Sequence, residues 1–338
     1  MIRHPKPTIT VLVFVATIAV AAPSTAAADE SIESMTALRA QLLSVAEPDL
    51  SPLDTTVAQQ LEQAREEMET AIADPRATIR QLASAYGALG QIYHVRAAYL
   101  QSWGGPDTPL LWRFQGDVAG SGAHGDLNAH IIDAVRFVTG EEIVSVEGSI
   151  EHTFIEERAL LEGGAGGEIA GAGASTSAGM GRSTVDDAVM FLGRMSGGGL
   201  ASFEATRLAT GYHNANRWEI HGEKGALRFD FERMNELGYY NLDGDGATQG
   251  WATIDVTRGG DGHPYADAWW PDSHGLGYEH AFVNQASDIL TVIGGGKPLV
   301  PMPDFADALQ TQRVLQAAID SAREHSPATV PGSQAEGA

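Results

Sequence analysis

The sequence predicts an α+β fold: an open antiparallel or mixed sheet with helices on one face, preceded by a small α-helical segment. Three observations predict it. Strand-like runs follow one another from Asp187 to Leu242, and the turns Ser196–Gly199 and Gly222–Gly225 each join two of them. Consecutive strands on such tight turns pair antiparallel. Two amphipathic runs, Tyr278–Ile293 and Asp304–Arg323, close the chain and supply helices to cover one sheet face. Ahead of the sheet, from Ser31 to about Tyr93, apolar residues recur at helical spacing.

From the amino terminus, Arg3, His4 and Lys6 precede an apolar run from Ile9 to Ala22, and Ala26-Ala-Ala28 follows. A short basic region, an apolar core and a small-residue cleavage site read as a secretory signal over residues 1–28, cut after about Ala28. The apolar run is short for a membrane span, and a retained anchor is the rival reading. With no twin arginine, the general secretory route is expected, to a secreted or periplasmic location and with no membrane association once the signal is removed.

Residues 29–92 are read as a helical segment. Leu38, Leu42 and Leu43 fit one helix. Val57, Leu61, Ala64, Met68 and Ala71 fit a second, ended by Asp74-Pro75. Ile79, Leu82, Tyr86 and Leu89 fit a third. At Tyr93 the texture changes to strand formers, Tyr93 to Trp103. Asp126 to Val138 reads as an amphipathic helix ended by Thr139-Gly140, and Ile143 to Phe154 alternates as a strand. Gly163 to Gly181, nearly all Gly, Ala, Ser and Thr, reads as a flexible loop. The second domain is set at residues 93–325, and residues 326–338 at a disordered tail.

Composition narrows the function. A formal charge of −23 over 338 residues repels nucleic acid and anionic membranes. There is no cysteine, so disulfides, thiolate metal sites and cysteine nucleophiles are excluded, and no metal site is expected. Lysine occurs only at Lys6, Lys224 and Lys297.

The chemistry concentrates on Asp126-x-x-x-His130. Residues four apart share one helix face, and a histidine moves protons near neutral pH when a carboxylate orients it. On general grounds such a pair is solvated or structural. Gly120-Ser-Gly-Ala-His-Gly125 fits the bare G-x-G-x-x-G pattern. It is rejected as a dinucleotide site, because no Val/Ile-rich parallel strand precedes it and no βαβ unit follows. Its glycines fit close backbone passage or a tight turn into the helix.

Two resemblances are carried by these residues. Leu82-Ala-Ser-Ala-Tyr-Gly-Ala-Leu-Gly-Gln-Ile-Tyr-His94 resembles the first helix of a tetratricopeptide repeat, of which about one repeat is present. From roughly Gly90 to Glu324 the chain resembles the carboxy-terminal domain of the glucose–fructose oxidoreductase / inositol dehydrogenase (Gfo/Idh/MocA) family. The carrying motifs are Ile92–Gln101, Leu111-Trp-Arg-Phe-Gln115, Gly120–Asp133, Trp218–Leu227 and Tyr278-Glu-His-Ala-Phe282, in that order.

The resemblance implies a substrate domain of an NAD- or NADP-dependent sugar or cyclitol dehydrogenase. Asp126 and His130 match the family's catalytic aspartate and histidine. Asp133, His124, Tyr278 and His280 are implied sugar contacts, and Arg113 reaches the pocket or makes a structural ion pair. Trp269-Trp270 stack on a sugar ring or pack. In relatives the open sheet face makes oligomers. The family's Glu-Lys-Pro lysine motif has no match, since Lys224 lies in a turn, and no Rossmann half is legible. No NAD or NADP is therefore expected to bind this chain alone, and a fusion is expected at Gly90 to Val95. Two readings stand side by side: a truncated or fused sugar-binding domain without its own cofactor half, and an exported non-enzymatic module that binds or assembles through its sheet. A third completes the enzyme with a separate cofactor-binding subunit.

Overall fold

The computed structural model describes residues 89–161, 176–259, 263 and 265–333. The expected signal sequence and almost all of the expected helical segment lie outside these residues. The described chain divides into two compact units, the larger holding residues 91–234, 238–251 and 303–333, the smaller residues 89–90, 235–237 and 252–302. The sequence reading had placed both in one domain.

The strands are β1 (Ile92–Leu100), β2 (Ile143–His152), β3 (Glu157–Leu161), β4 (Thr176–Arg182), β5 (Ala188–Met195), β6 (Leu200–Thr206), β7 (Ala215–Gly222), β8 (Gly225–Asp230), β9 (Glu236–Asn241), β10 (Trp251–Asp255), most of which belongs to the smaller unit, and β11 (Ala328–Thr329). The helices are α1 (Ala129–Thr139), α2 (Tyr278–Ile293) and α3 (Phe305–Glu324). The main sheet runs from β9 to β11 in the order β9-β8-β7-β1-β6-β5-β2-β11. The turn-linked pairs β5/β6 and β7/β8 are antiparallel, as their turns require. β1 lies parallel to β6 and antiparallel to β7, which makes the sheet mixed.

Strand periodicity sorts the two faces. On β5, Val189, Phe191 and Met195 are buried while Met190, Leu192 and Arg194 are exposed; on β6, Ala201, Phe203 and Ala205 are buried. α1 and α3 cover the buried face, α1 against β1 and α3 against β2. They contribute Ile131, Ile132, Val135, Val314, Leu315 and Ala318, each 5% exposed or less. Each large aliphatic chain so buried contributes about 1.5–3 kcal/mol. Among the described residues of this unit, no helix packs on the other face of the sheet.

Arg136, 2% exposed, joins the two helices. It donates to Glu142 (Nε–Oε2 2.7 Å, Nη2–Oε1 3.0 Å), to Asp307 Oδ1 (3.0 Å) and to Thr311 Oγ1 (2.9 Å). A buried guanidinium requires such partners.

Three segments differ from the sequence reading. Thr176–Arg182, read as loop, is β4, and it pairs antiparallel with β3 in a separate two-stranded sheet. The glycines and alanine of this strand carry little strand propensity of their own, so the partner strand decides. Ala328–Thr329, read as part of a disordered tail, pairs with Val146 and Ser145 on β2. Finally, the helix begins with a π-turn, His124–Asn128, before α1. The junction segment is strand from Ile92.

In the smaller unit, buried polar residues set the packing. The Tyr265 hydroxyl donates to Asp288 Oδ2 (2.6 Å), and burial, together with this bond to a carboxylate, raises the phenol's pKa well above its ordinary value. Trp269 Nε1 donates to Asn284 Oδ1 (2.9 Å). Asn235 accepts from Leu276 N and donates to Leu276 O, both at 3.0 Å.

Candidate functional site

The site is built where the glycine loop turns into α1. Gly120 takes φ +77°, in the region glycine favours. A Cβ on Gly122 would lie 1.8 Å from the Asp186 carbonyl oxygen, so the backbones approach too closely for any side chain there. The Asp186 carboxylate then accepts from Gly122 N and from His124 N, each at 2.8 Å. Ser121 Oγ accepts from Gly125 N at 2.9 Å. These amides are the donors a phosphate would need, and side chains of the protein already occupy them. What precedes the loop is a single helical turn, Gly116–Ala119, rather than a strand. The glycine string therefore does not fit a dinucleotide; it forms the turn into the helix.

The π-turn and first turn of α1 carry Asp126 and His130. Both oxygens of Asp126 are taken by arginines: Oδ1 by Arg113 Nη1 at 3.2 Å and Oδ2 by Arg207 Nη2 at 2.7 Å. Arg207, 1% exposed, also donates to Gly122 O (3.1 Å) and Arg113 O (3.3 Å), and it lies over the rings of Trp103 and Phe114. Among the described residues Asp126 makes no hydrogen bond to His130. The expectation of an aspartate orienting its histidine therefore becomes an aspartate anchored by a pair of guanidiniums. Arg113 realises its ion-pair alternative, with its guanidinium over Trp112 (4.6 Å).

His130 is exposed. Its ring meets the Tyr99 ring edge to face, centroids 5.7 Å apart. Tyr99 starts a polar run: its hydroxyl donates to Asn214 Oδ1 (2.6 Å), Gln101 Nε2 donates to the same oxygen (2.9 Å), and Trp103 Nε1 donates to Gln101 Oε1 (2.6 Å). Glu232 Oε1 holds Asn214 and His213 through their backbone amides (2.8 and 2.9 Å), which keeps the Glu232 carboxyl below the usual range.

The other expected contacts divide. His124 is 1% exposed. Its Nε2 donates to Leu315 O (2.9 Å), so its Nδ1 accepts from Asn128 Nδ2 (3.0 Å). Burial lowers its pKa. With both ring nitrogens engaged inside the core, His124 ties the π-turn to α3 and offers nothing to a sugar. Asp133 is 54% exposed and lies 3.8 Å from Arg136. Tyr278 and His280 belong to the smaller unit. Tyr278 is 58% exposed against Phe282, while His280 Nδ1 accepts from Gly277 N (2.9 Å) and its ring packs on Trp269. His280 thus closes the start of α2, and Trp269 packs.

Sequence reasoning passed over Arg207, Tyr99, Gln101, Trp103, Asn214 and Asp186. Arg207 reaches Asp126 across 81 positions, and no spacing rule spans that distance. The alternation Tyr99, Gln101, Trp103 was the one available signal, since it places three side chains on one side of an extended strand.

Comparison with known proteins gives one picture. Residues 77–228 match the GFO/IDH/MocA C-terminal domain. The match starts ahead of Gly90 to Val95, where the sequence reading had placed a junction. Levoglucosan dehydrogenase of Pseudarthrobacter phenanthrenivorans is 37% identical over 247 residues, covering 72% of this chain and 61% of that protein. An oxidoreductase domain protein from Kribbella flavida has a solved structure 43% identical, with TM-score 0.65 over 76% of this chain and 63% of that one. A levoglucosan dehydrogenase solved with NADH and levoglucosan is 34% identical, with TM-score 0.63 over 76% of this chain and 63% of that one. The chain spans about three-fifths of the length of these relatives.

Proposed function

The chain carries a GFO/IDH/MocA C-terminal domain over residues 77–228, and from that premise we propose that it binds a sugar or polyol beside His130, as the substrate side of an NAD-dependent sugar dehydrogenase. One observation carries the reading. His130 is exposed at the start of α1, while the carboxylate one turn before it is fixed by Arg113 and Arg207. Levoglucosan dehydrogenases are among the proteins this chain is similar to, and solved examples hold NADH with levoglucosan or L-sorbose.

In this reading His130 exchanges the proton of a substrate hydroxyl. Asp126 works at one remove, fixing the first turn of α1 through its two arginines. Nicotinamide supplies the hydride chemistry in such enzymes, and the loop 120–125 does not fit it. The reading therefore assigns these residues to sugar alone.

Levoglucosan titrated into the full chain, followed by NMR of the histidine rings, tests this. The His130 resonances are expected to move, and His130→Asn is expected to weaken binding at least tenfold. Unchanged affinity in that variant would place the sugar elsewhere. Calorimetry with NADH tests the assignment to the sugar side, which tight binding would overturn.

A second reading rests on the uncovered sheet face, where Ile150 (69%), Leu192 (56%), Leu200 (50%) and Met190 (48%) are exposed on adjacent strands. Such a patch fits association of two copies. Gel filtration of the wild type and of Leu192→Glu tests it: a wild-type dimer converted to monomer supports the reading, and a wild-type monomer ends it.

A further inference from the structure

A chain of contacts leads from His130 round to Asp126, its neighbour one helical turn earlier. From His130 it passes to Tyr99, then through Asn214 and Gln101 to Trp103, on to Arg207 over the indole (5.0 Å), and to Asp126. Five of these seven residues lie outside the Asp126/His130 motif. The polar arc from Tyr99 to Trp103 is only partly satisfied within the protein, and the unsatisfied groups are of one kind.

Asn214 Oδ1 receives two donors, the Tyr99 hydroxyl and Gln101 Nε2. That fixes the orientation of the amide, which geometry alone leaves ambiguous. Its Nδ2 makes no hydrogen bond among the described residues, so two N–H donors are free. Gln101 uses one Nε2 hydrogen on Asn214 and its Oε1 on Trp103, which leaves one further N–H. Tyr99, Gln101, Trp103 and Asn214 are all half-buried, so the side chains that carry these donors are held by the protein while the donors themselves stay open to a ligand. The arc is also rigid. Asn214 is anchored through its backbone by Glu232 (2.8 Å), and Tyr99 is held in β1.

We propose that Asn214 and Gln101 form a hydroxyl-reading wall of the site, with Tyr99 and Trp103 as its supports, and that this wall selects among sugar epimers. The ligand class is a neutral carbohydrate with adjacent hydroxyls. Fixed N–H donors match hydroxyl oxygens and discriminate by geometry, and no free anion-binding guanidinium belongs to the arc. The inference rests on the sugar-binding reading of His130 and deepens it.

The test uses the full chain. Levoglucosan, glucose, mannose and galactose are titrated into the wild type, His130→Asn and Asn214→Asp. Asn214→Asp keeps the oxygen that accepts from Tyr99 and Gln101 and removes the two free donors. The expected result is a changed ranking of the epimers, with at least a fivefold loss for one of them. A purely structural role would lower all affinities together. In the wild type, where folding of a variant is not in question, the Asn214 side-chain NH2 and the Trp103 indole N–H resonances are expected to shift with levoglucosan. If His130→Asn loses binding while Asn214→Asp keeps every affinity and the Asn214 resonances stay still, the wall is wrong and the His130 site stands. If His130→Asn binds as the wild type does, or no sugar binds, the site reading fails and the wall with it.

Discussion

Arg207 donates from Nη2 to Asp126 Oδ2 at 2.7 Å, joining a guanidinium just beyond the end of β6 to a carboxylate in the turn that opens α1. Arg207 is 1% exposed and Asp126 28%. Removing the carboxylate would leave a buried guanidinium short of its charged partner. Asp126→Asn is therefore expected to lower stability by about 1–3 kcal/mol. His130→Asn, at an exposed position, is expected to stay within about 0.5 kcal/mol of the wild type. Urea denaturation of both variants checks this. Equal stabilities would mean that the ion pair contributes nothing.

The Arg158–Asp187 pair is buried more deeply, both side chains 0% exposed, with Nη2–Oδ1 at 3.2 Å. Arg158 also donates to the carbonyls of Gly104 (2.9 Å), Gly105 (2.9 Å) and Thr108 (3.2 Å) and stacks on Phe114. Asp187 Oδ2 accepts from Phe154 N and Ile155 N. Arg158→Met would strand the aspartate and three carbonyls. The expected loss is about 3–5 kcal/mol, read as a lower urea midpoint. A near-neutral result would show that water or a shifted partner replaces the guanidinium.

Glycine tolerance separates close approach from free space. Gly122→Ala would press a methyl against the Asp186 carbonyl and is expected to destabilise by about 2 kcal/mol or more. Gly105 has nothing within 4 Å of its would-be Cβ. Gly105→Ala is expected to change stability by no more than about 0.5 kcal/mol. Thermal unfolding of the two variants side by side decides the matter.

His124 makes the fold sensitive to acid. Burial lowers its pKa below the ordinary 6.5, so the folded chain keeps the ring neutral while the unfolded chain takes up a proton. The unfolded state then holds more protons, and stability rises with pH in that range. The contribution is complete above about pH 6.5 and is lost as pH falls from there toward the lowered value. His124→Gln retains a donor for Leu315 O and does not titrate. The drop in urea midpoint between pH 7.5 and 5.5 is expected to be smaller in this variant than in the wild type. An equal drop would assign the acid sensitivity to other groups.

Much of the fold was legible because its signals are local. Tyr278–Ile293 is α2 as the pattern of apolar residues required, and the second closing helix starts at Phe305, one residue after its Asp304 cap, whose carboxylate accepts from Asp307 N (2.9 Å). The two glycine turns set the antiparallel pairs. By contrast, β4 was read as loop and β11 as tail, because a strand of weak propensity exists only where a partner edge is available. The candidate site was legible only as far as one helix face reaches. Asp126-x-x-x-His130 came from spacing, and what each residue touches did not.

The sequence by itself determined the α+β class, the antiparallel pairs on their turns, the two closing helices and the position of His130, since each depends on residues within a few turns of one another. Tertiary structure alone decided that Asp126 is bound to Arg207 and not to His130, that His124 is sealed against Leu315, and that Tyr99, Gln101 and Asn214 meet. These contacts join strands and loops far apart in the chain, and their partners are chosen by how the sheet orders its strands rather than by any repeat in the sequence.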